Sequence, residues 1–395
     1  MSENPLATDS ALPARSVPAM VVVASALVLG ALPLFMVGGL AVQIKDEFGL
    51  TEAALGAGVT IGFLTGALSA PLGGRFADRI GPKASTYLGA SLSIVSLIGL
   101  GVIANGWGSM VTFLCVAGLA VAITDPGLAI LVGQAVPPER QGLAFGIKEA
   151  SIPAATLVAG LAVPAIALTV GWRWGFVAGA LPLAAVLLLL PGLRTEPTDH
   201  PKAEPTAAQV STTPRRGRLV LAAIAGGIGV AAASGVGIFL TDSAVAMGMS
   251  PGGAGILLAV GSVAGIAARI GAGARADRTG GPQFKLIAAM LAVGAVTMAL
   301  GGTGNAALLV VGTIGAFTGG WAWTGIYFLS LVMTYPHRPG AVTGIAVAGL
   351  GLGNATGPLL FGVAAQTLSF EAAWLGAAMV AGAASILMAR AAAQF

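Results

Sequence analysis

Apolar residues along this chain run in long unbroken blocks. They show neither the two-residue alternation of strands nor the single stripe of a soluble helix. A helix crosses a bilayer in about 20 residues, and twelve such blocks can be drawn. They are 17–43, 52–76, 84–104, 108–135, 141–169, 173–193, 218–245, 251–274, 284–302, 305–334, 340–367 and 371–391. Between the sixth and seventh lies LRTEPTDHPKAEPTAAQVSTTPRRGRL, rich in Pro, Thr and charge. It cannot bury a core and reads as a polar linker. The pattern predicts an all-α polytopic membrane protein: a tail over 1–16, six helices over 17–193, a linker over 194–217 and six more helices over 218–391.

Composition narrows the class. Only 9% of residues are charged and 56% are hydrophobic, against about 25% charged in soluble domains. Sixty glycines fit transmembrane helices packed closely through small residues. Arg15, Arg75, Arg79, Lys83, Arg140, the linker cluster, Arg275, Arg278, Lys285, Arg338 and Arg390 fall on one side, Lys45 and Arg173 on the other. By the positive-inside rule both termini are cytoplasmic, in a multi-pass protein of the cell (plasma or inner) membrane. Trp107, Trp172 and Trp374 then fall at the outer interface as belt residues. The polar N-terminus has no small-residue cleavage site and reads as a cytoplasmic tail. The single Cys115 allows no disulfide framework. His200 and His337 lie in polar loops, and neither a metal-ligand set nor a phosphate-binding loop is present. That pattern argues against an enzyme, an ATP-driven pump, a metal or other cofactor, or a nucleic-acid partner.

The two halves repeat. GRFADRIG at 74–81 matches GARADRTG at 273–280, which sets Asp78 and Asp277 199 positions apart. PERQGLAFGI at 138–147 matches PHRPGAVTGI at 336–345, which sets Gly142 and Gly340 198 apart. One shared offset for two motifs marks a duplicated six-helix unit. With GRFADRIGPK between the second and third helices and GARADRTGGP between the eighth and ninth, the chain resembles the major facilitator superfamily (MFS). Phe76 and Pro82 depart from that family's loop signature. The resemblance implies two pseudo-symmetric six-helix bundles around a cavity lined by helices 1, 4, 7 and 10, rocking to expose it alternately to each side. Gly74, Asp78, Arg79, Gly81, Asp277 and Arg278 then form a gating motif. A carboxylate at Asp78 or Asp277 can cap the positive start of a neighbouring helix and latch one state.

Charges inside the spans point to a site. Lys148 lies about 12 Å into the membrane beyond Arg140, and Asp125 about 14–18 Å in from the same side, so the two can meet. The 198 offset pairs Lys148 with Ala346, Glu149 with Val347 and Asp125 with Trp323, so all three charges belong to one half only. Lys148 and Glu149 are about 100° apart on a helix, which predicts opposite facings. Lys148 shares a polar stripe with Gln141 and Ser151 and suits an anionic substrate. Glu149 lies with Gly142, Gly146 and Pro153 at a tight helix contact and suits proton exchange, as does Asp125. An ion pair that only joins helices is the other reading.

Trp323 and Tyr327, four apart, offer an aromatic wall for an organic substrate or a packed pair. Arg269 is a further binding candidate that can snorkel to the interface, and Asp242 reads as an outer-interface charge. GLGLGNATGPLLFG at 349–362 reads as a bendable gate helix. The function expected is a secondary active transporter, proton-coupled, taking up a small carboxylate-like anion as a monomer. The alternative is a proton-coupled exporter of drugs or metabolites. Asp125 in helix 4 and GIKEASIPAATLVAG in helix 5 depart from the arginine and Gly-Pro pattern that the resemblance associates with antiporters.

Overall fold

A computed structural model describes residues 28, 30–135, 140–189, 216–335 and 339–394. The tail, nearly all of the linker and the side chain of Asp78 lie outside the described residues. Among those described, every regular element is a helix. α1 is Gly30–Gly39 running into Ala41–Phe48. α2 is Glu52–Ile80, α3 is Pro82–Ile98 with a π-turn Gly99–Ile103, and α4 is Trp107–Ala135. α5 comprises Gln141–Glu149 and Ser151–Ala162, closed by a π-turn Val163–Ala167, and α6 is Trp172–Leu189. α7 is Arg216–Ala246, α8 is Pro251–Thr279 and α9 is Phe284–Gly301. α10 falls into two pieces, α10a (Ala306–Gly315) and α10b (Thr324–Thr334), while α11 is Pro339–Thr367 and α12 is Phe370–Ala392. Ten helices among the described residues are long and apolar enough to cross a membrane. α1 and α6 take the places of the first and sixth expected spans but fall outside those ten.

The sequence dictates the ends. Thr51 caps α2, Ser250 caps α8 and Ser369 caps α12, each side-chain oxygen accepting a first-turn N–H, as such residues do for the orphan donors of a helix start. Between α2 and α3 the chain turns at Gly81 with φ 86°, a conformation open to glycine and strained for other residues. Gly280 repeats this between α8 and α9 with φ 65°.

α2, α3 and α4 pack together in the first half, as α7, α9, α11 and α12 do in the second. The halves meet through α2 against α11 and through α5 against α8. Lacking a hydrophobic drive between helices in lipid, such seams rely on close backbone approach. Gly56 lies against the Pro358 carbonyl, Gly160 against that of Gly255, and Gly142 against that of Gly273. The glycine-rich stretch of α11 is part of this packing: Gly349, Gly353 and Gly357 lie on α7 at Ala223, Gly227 and Ala231. The helix runs through it without a break, so its glycines serve contact where a bend was expected.

The tryptophan belt is only partly met. Trp107 is exposed, with Nε1 donating to the Ala54 carbonyl at 2.7 Å, but Trp172 and Trp374 are buried. Trp172 donates to Glu47 at 2.6 Å, and Trp374 packs on Phe361 and Gly301. Counting along a helix sets their depth but not their facing.

Candidate functional site

At the Arg-rich end, α5 starts without a cap of its own, since Arg140 offers no side-chain bond to the first turn. Asp277, in the last turn of α8, supplies one from the other half. Its Oδ1 accepts the Gly142 N–H at 2.7 Å and its Oδ2 the Leu143 N–H at 2.9 Å. A carboxylate at a helix start gains both from the orphan donors and from the positive end of the helix dipole. The mutual contact of Gly142 and Gly273 brings it within reach. Arg278, the next residue, is exposed, as is Arg79 at the matching place in the first repeat. Of the gating motif, Gly74 faces open space, while its neighbour Gly73 packs closely against Ala122 of α4.

Deeper in, Lys148 of α5 sits between two carboxylates. Its Nζ is 3.2 Å from Asp125 Oδ1 of α4 and 3.4 Å from Glu149 Oε1. Lys148 and Glu149 thus share a contact, where helical spacing predicted opposite facings. Both lie in the regular segment Gln141–Glu149, and a lysine arm is long enough to cross the angle between them. Lys148 also lies over the Phe328 ring of α10b, 5.7 Å from its centroid. Glu149 is buried, whereas the Asp125 side chain is 41% exposed.

Arg269 of α8 does not snorkel: it is 1% exposed. Gly146 of α5 lies against its backbone carbonyl, which draws this stretch of α8 into the seam. Nε, Nη1 and Nη2 all lack a hydrogen-bond partner. The guanidinium carbon lies 5.6 Å from the centre of the Trp321 ring.

α10 is not the single helix expected. A π-turn, Ala316–Gly320, is followed by non-helical backbone to Trp323. Irregular backbone at membrane depth persists where protein or a cavity surrounds it. The break sends Trp323 and Tyr327 into the second bundle, both fully buried and edge to face at 5.6 Å. Trp323 Nε1 donates to the Gly320 carbonyl at 2.8 Å, and the Tyr327 hydroxyl donates to Ala222 of α7 at 3.1 Å. Trp321, which periodicity did not single out, faces the other half. Its ring is 5.8 Å from Phe35 of α1 and 5.6 Å from Phe317, and Phe35 is 5.7 Å from Phe63 of α2.

The opposite end is also tied across the halves. Lys45 of α1 pairs with Asp242 of α7 at 2.7 Å and with Glu52 of α2 at 2.6 Å. The Thr241 hydroxyl donates to the Gly38 carbonyl at 2.7 Å, where Gly38 lets Ile238 approach. Asp242 is therefore a buried link between the halves, and not the outer-interface charge expected. The triad makes the two deletions unequal. Lys45→Ala strands two carboxylates and is expected to cost about 3–5 kcal/mol, as for one partner removed from a buried pair. Asp242→Ala leaves Lys45 with Glu52 and costs less. Melting curves of the two variants check this, and equal losses would count against it.

Twinned loops, a carboxylate latch between halves and charges enclosed at the seam all fit one comparison. The family model of the Major Facilitator Superfamily matches residues 23–306. The chain belongs to that superfamily. It is 29% identical over 128 residues to an uncharacterized MFS-type transporter of Mycobacterium tuberculosis, covering 31% of this chain and 22% of the relative. It is 28% identical over 166 residues to an uncharacterized transporter of Bacillus subtilis, YycB, covering 41% of this chain and 40% of that one. The matched part is less than half the length of either relative. Membership, with ten helices among the described residues long and apolar enough to cross a membrane, makes it a multi-pass membrane protein.

Proposed function

We propose that this transporter takes up a small organic anion together with protons. The observation that carries the reading is the set Asp125, Lys148, Glu149 and Arg269 around α5, in which one buried cation, Arg269, has no hydrogen-bonding partner. Cations at this depth draw a negative group out of water, and neighbouring carboxylates offer places for a proton. When Glu149 or Asp125 takes a proton, the set gains a net positive charge and favours the anion. Anion and proton binding then support each other, and by linkage they must do so reciprocally. In this scheme the Arg-rich end faces the cytoplasm, both termini lie there, and the protein sits in the cell membrane as a monomer. Asp277 and Lys45 hold the two ends shut in turn, and Asp78 is the counterpart of Asp277 in the first repeat.

Proteoliposomes test the scheme. With acid outside, initial uptake of labelled acetate or benzoate is expected to run several-fold faster than in protein-free vesicles, where the protonated acids cross unaided, and a protonophore should abolish that excess. The second reading is a proton-coupled exporter of drugs or metabolites. Accumulation of a lipophilic cation in acid-loaded vesicles, with no carboxylate uptake, would decide for it.

A further inference from the structure

We infer that Arg269, and not Lys148, seats the negative group of the cargo, and that the cargo is a monocarboxylate with a flat apolar body lying against Trp321. The inference rests on the anion reading above and assigns its chemistry.

Charge pairing separates the two cations. Lys148 has a carboxylate at 3.2 Å and another at 3.4 Å, so an incoming anion there would meet two like charges. Arg269 has three nitrogens without a hydrogen bond in a side chain 1% exposed. A buried guanidinium without acceptors is costly. Its fork matches a carboxylate bidentately, which supplies the missing acceptors in one step.

The surroundings describe the rest of the cargo. Arg269 lies over Trp321, and from there Phe317, Phe35 and Phe63 form a continuous aromatic row. Trp321 and Phe317 belong to the second half, Phe35 and Phe63 to the first. A flat apolar body entering as the bundles part would replace the Trp321–Phe35 contact and be touched from both sides. Close pairs of this kind favour aromatic bodies over small ones. A single uncommitted cation favours one negative charge over two. Trp321 stands where α10 is unwound, and Thr324, which opens α10b, has a buried hydroxyl without a partner.

The test is ligand-induced thermal stabilisation of the purified full chain in detergent, titrated with benzoate, acetate, phthalate and tetraphenylphosphonium. Benzoate is expected to bind at least about tenfold more tightly than acetate or phthalate, a difference of about 1.4 kcal/mol. Arg269→Gln is expected to weaken benzoate at least about thirtyfold, the lower range for truncating one side of a buried charge pair. Lys148→Gln should weaken it less than Arg269→Gln does. Arg269→Lys keeps the charge and loses the fork, so its benzoate affinity should fall while the protein stays folded. Trp321→Leu should erase the preference for benzoate over acetate and leave carboxylate binding in place.

Benzoate binding that survives Arg269→Gln and disappears with Lys148→Gln overturns this assignment and leaves the anion transporter standing. Equal or tighter binding of phthalate overturns the monoanion, and an undiminished aromatic preference in Trp321→Leu overturns the stacking surface. Stabilisation by tetraphenylphosphonium alone removes the anion reading itself.

Discussion

Lys148→Met is expected to lower stability by about 3–5 kcal/mol, the usual cost of removing one partner from a buried pair, and to abolish transport. The lysine holds Asp125 and Glu149 at 3.2 and 3.4 Å. Without it, two carboxylates face each other close to the α5–α8 seam. One must take up a proton or the helices must separate, and either outcome disturbs the charge arrangement on which the proposed coupling depends. Asp125→Asn should be milder, because Lys148 keeps Glu149 and the Asp125 side chain is 41% exposed. Lys148→Met/Glu149→Gln should recover part of the lost stability, since it removes the stranded buried charge with its partner. Melting in detergent would show a fall of several degrees for the first variant and a smaller one for the others. A Lys148→Met variant as stable as the parent would mean that the cluster is well hydrated and contributes little.

The second large effect is expected at Asp277. Asp277→Ala removes two charge-assisted hydrogen bonds, at 2.7 and 2.9 Å, and leaves the first turn of α5 uncapped. Hydrogen bonds to charged groups contribute about 1.5–3 kcal/mol, and a lost N-cap costs about 0.5–2 kcal/mol. The closed Arg-rich end should therefore lose roughly ten- to hundredfold in population relative to the open one. A cysteine placed near Gly142, in a background lacking Cys115, should become more reactive to a membrane-impermeant thiol reagent applied from the Arg-rich side. Transport should slow even though Asp277 lies well away from Arg269 along α8. Asp277→Asn, which keeps one acceptor, should fall between. Unchanged reactivity in Asp277→Ala would show that the glycine seam alone holds this end closed.

Some of this was legible from residues alone, for definite reasons. The twin loops announce themselves because a turn that needs φ above zero keeps Gly81 and Gly280 in register. Placing a carboxylate three residues before that glycine puts it at a helix end, where a neighbouring helix can be capped. Asp125 and Lys148 could be brought together because depth in a membrane follows residue count at a fixed rise. Direction around the helix was harder. It rests on a period of 3.6, and that period fails wherever the helix does. The length of the Lys148 side chain lets it reach Glu149 around a regular turn, and the π-turn at Ala316–Gly320 makes Trp321, not Trp323, the residue that faces the other half. Lys45 and Asp242 were read as edge charges because each lies near a span end. Their pairing depends on how closely α1 meets α7, which Gly38 permits and no local pattern reveals.

Lys45 also touches Glu52, which belongs to its own half. When α1 and α7 draw apart, the ammonium need not travel into lipid or water alone. It passes from a shared position between two carboxylates to a pair it already has, while Asp242 is released beside the entering solvent. The barrier to opening this end is then set mainly by hydrating one carboxylate, and the lysine returns without a search when the halves close. A lock of this design is firm at rest and quick to cycle, which suits a protein that must open the same end at every turnover.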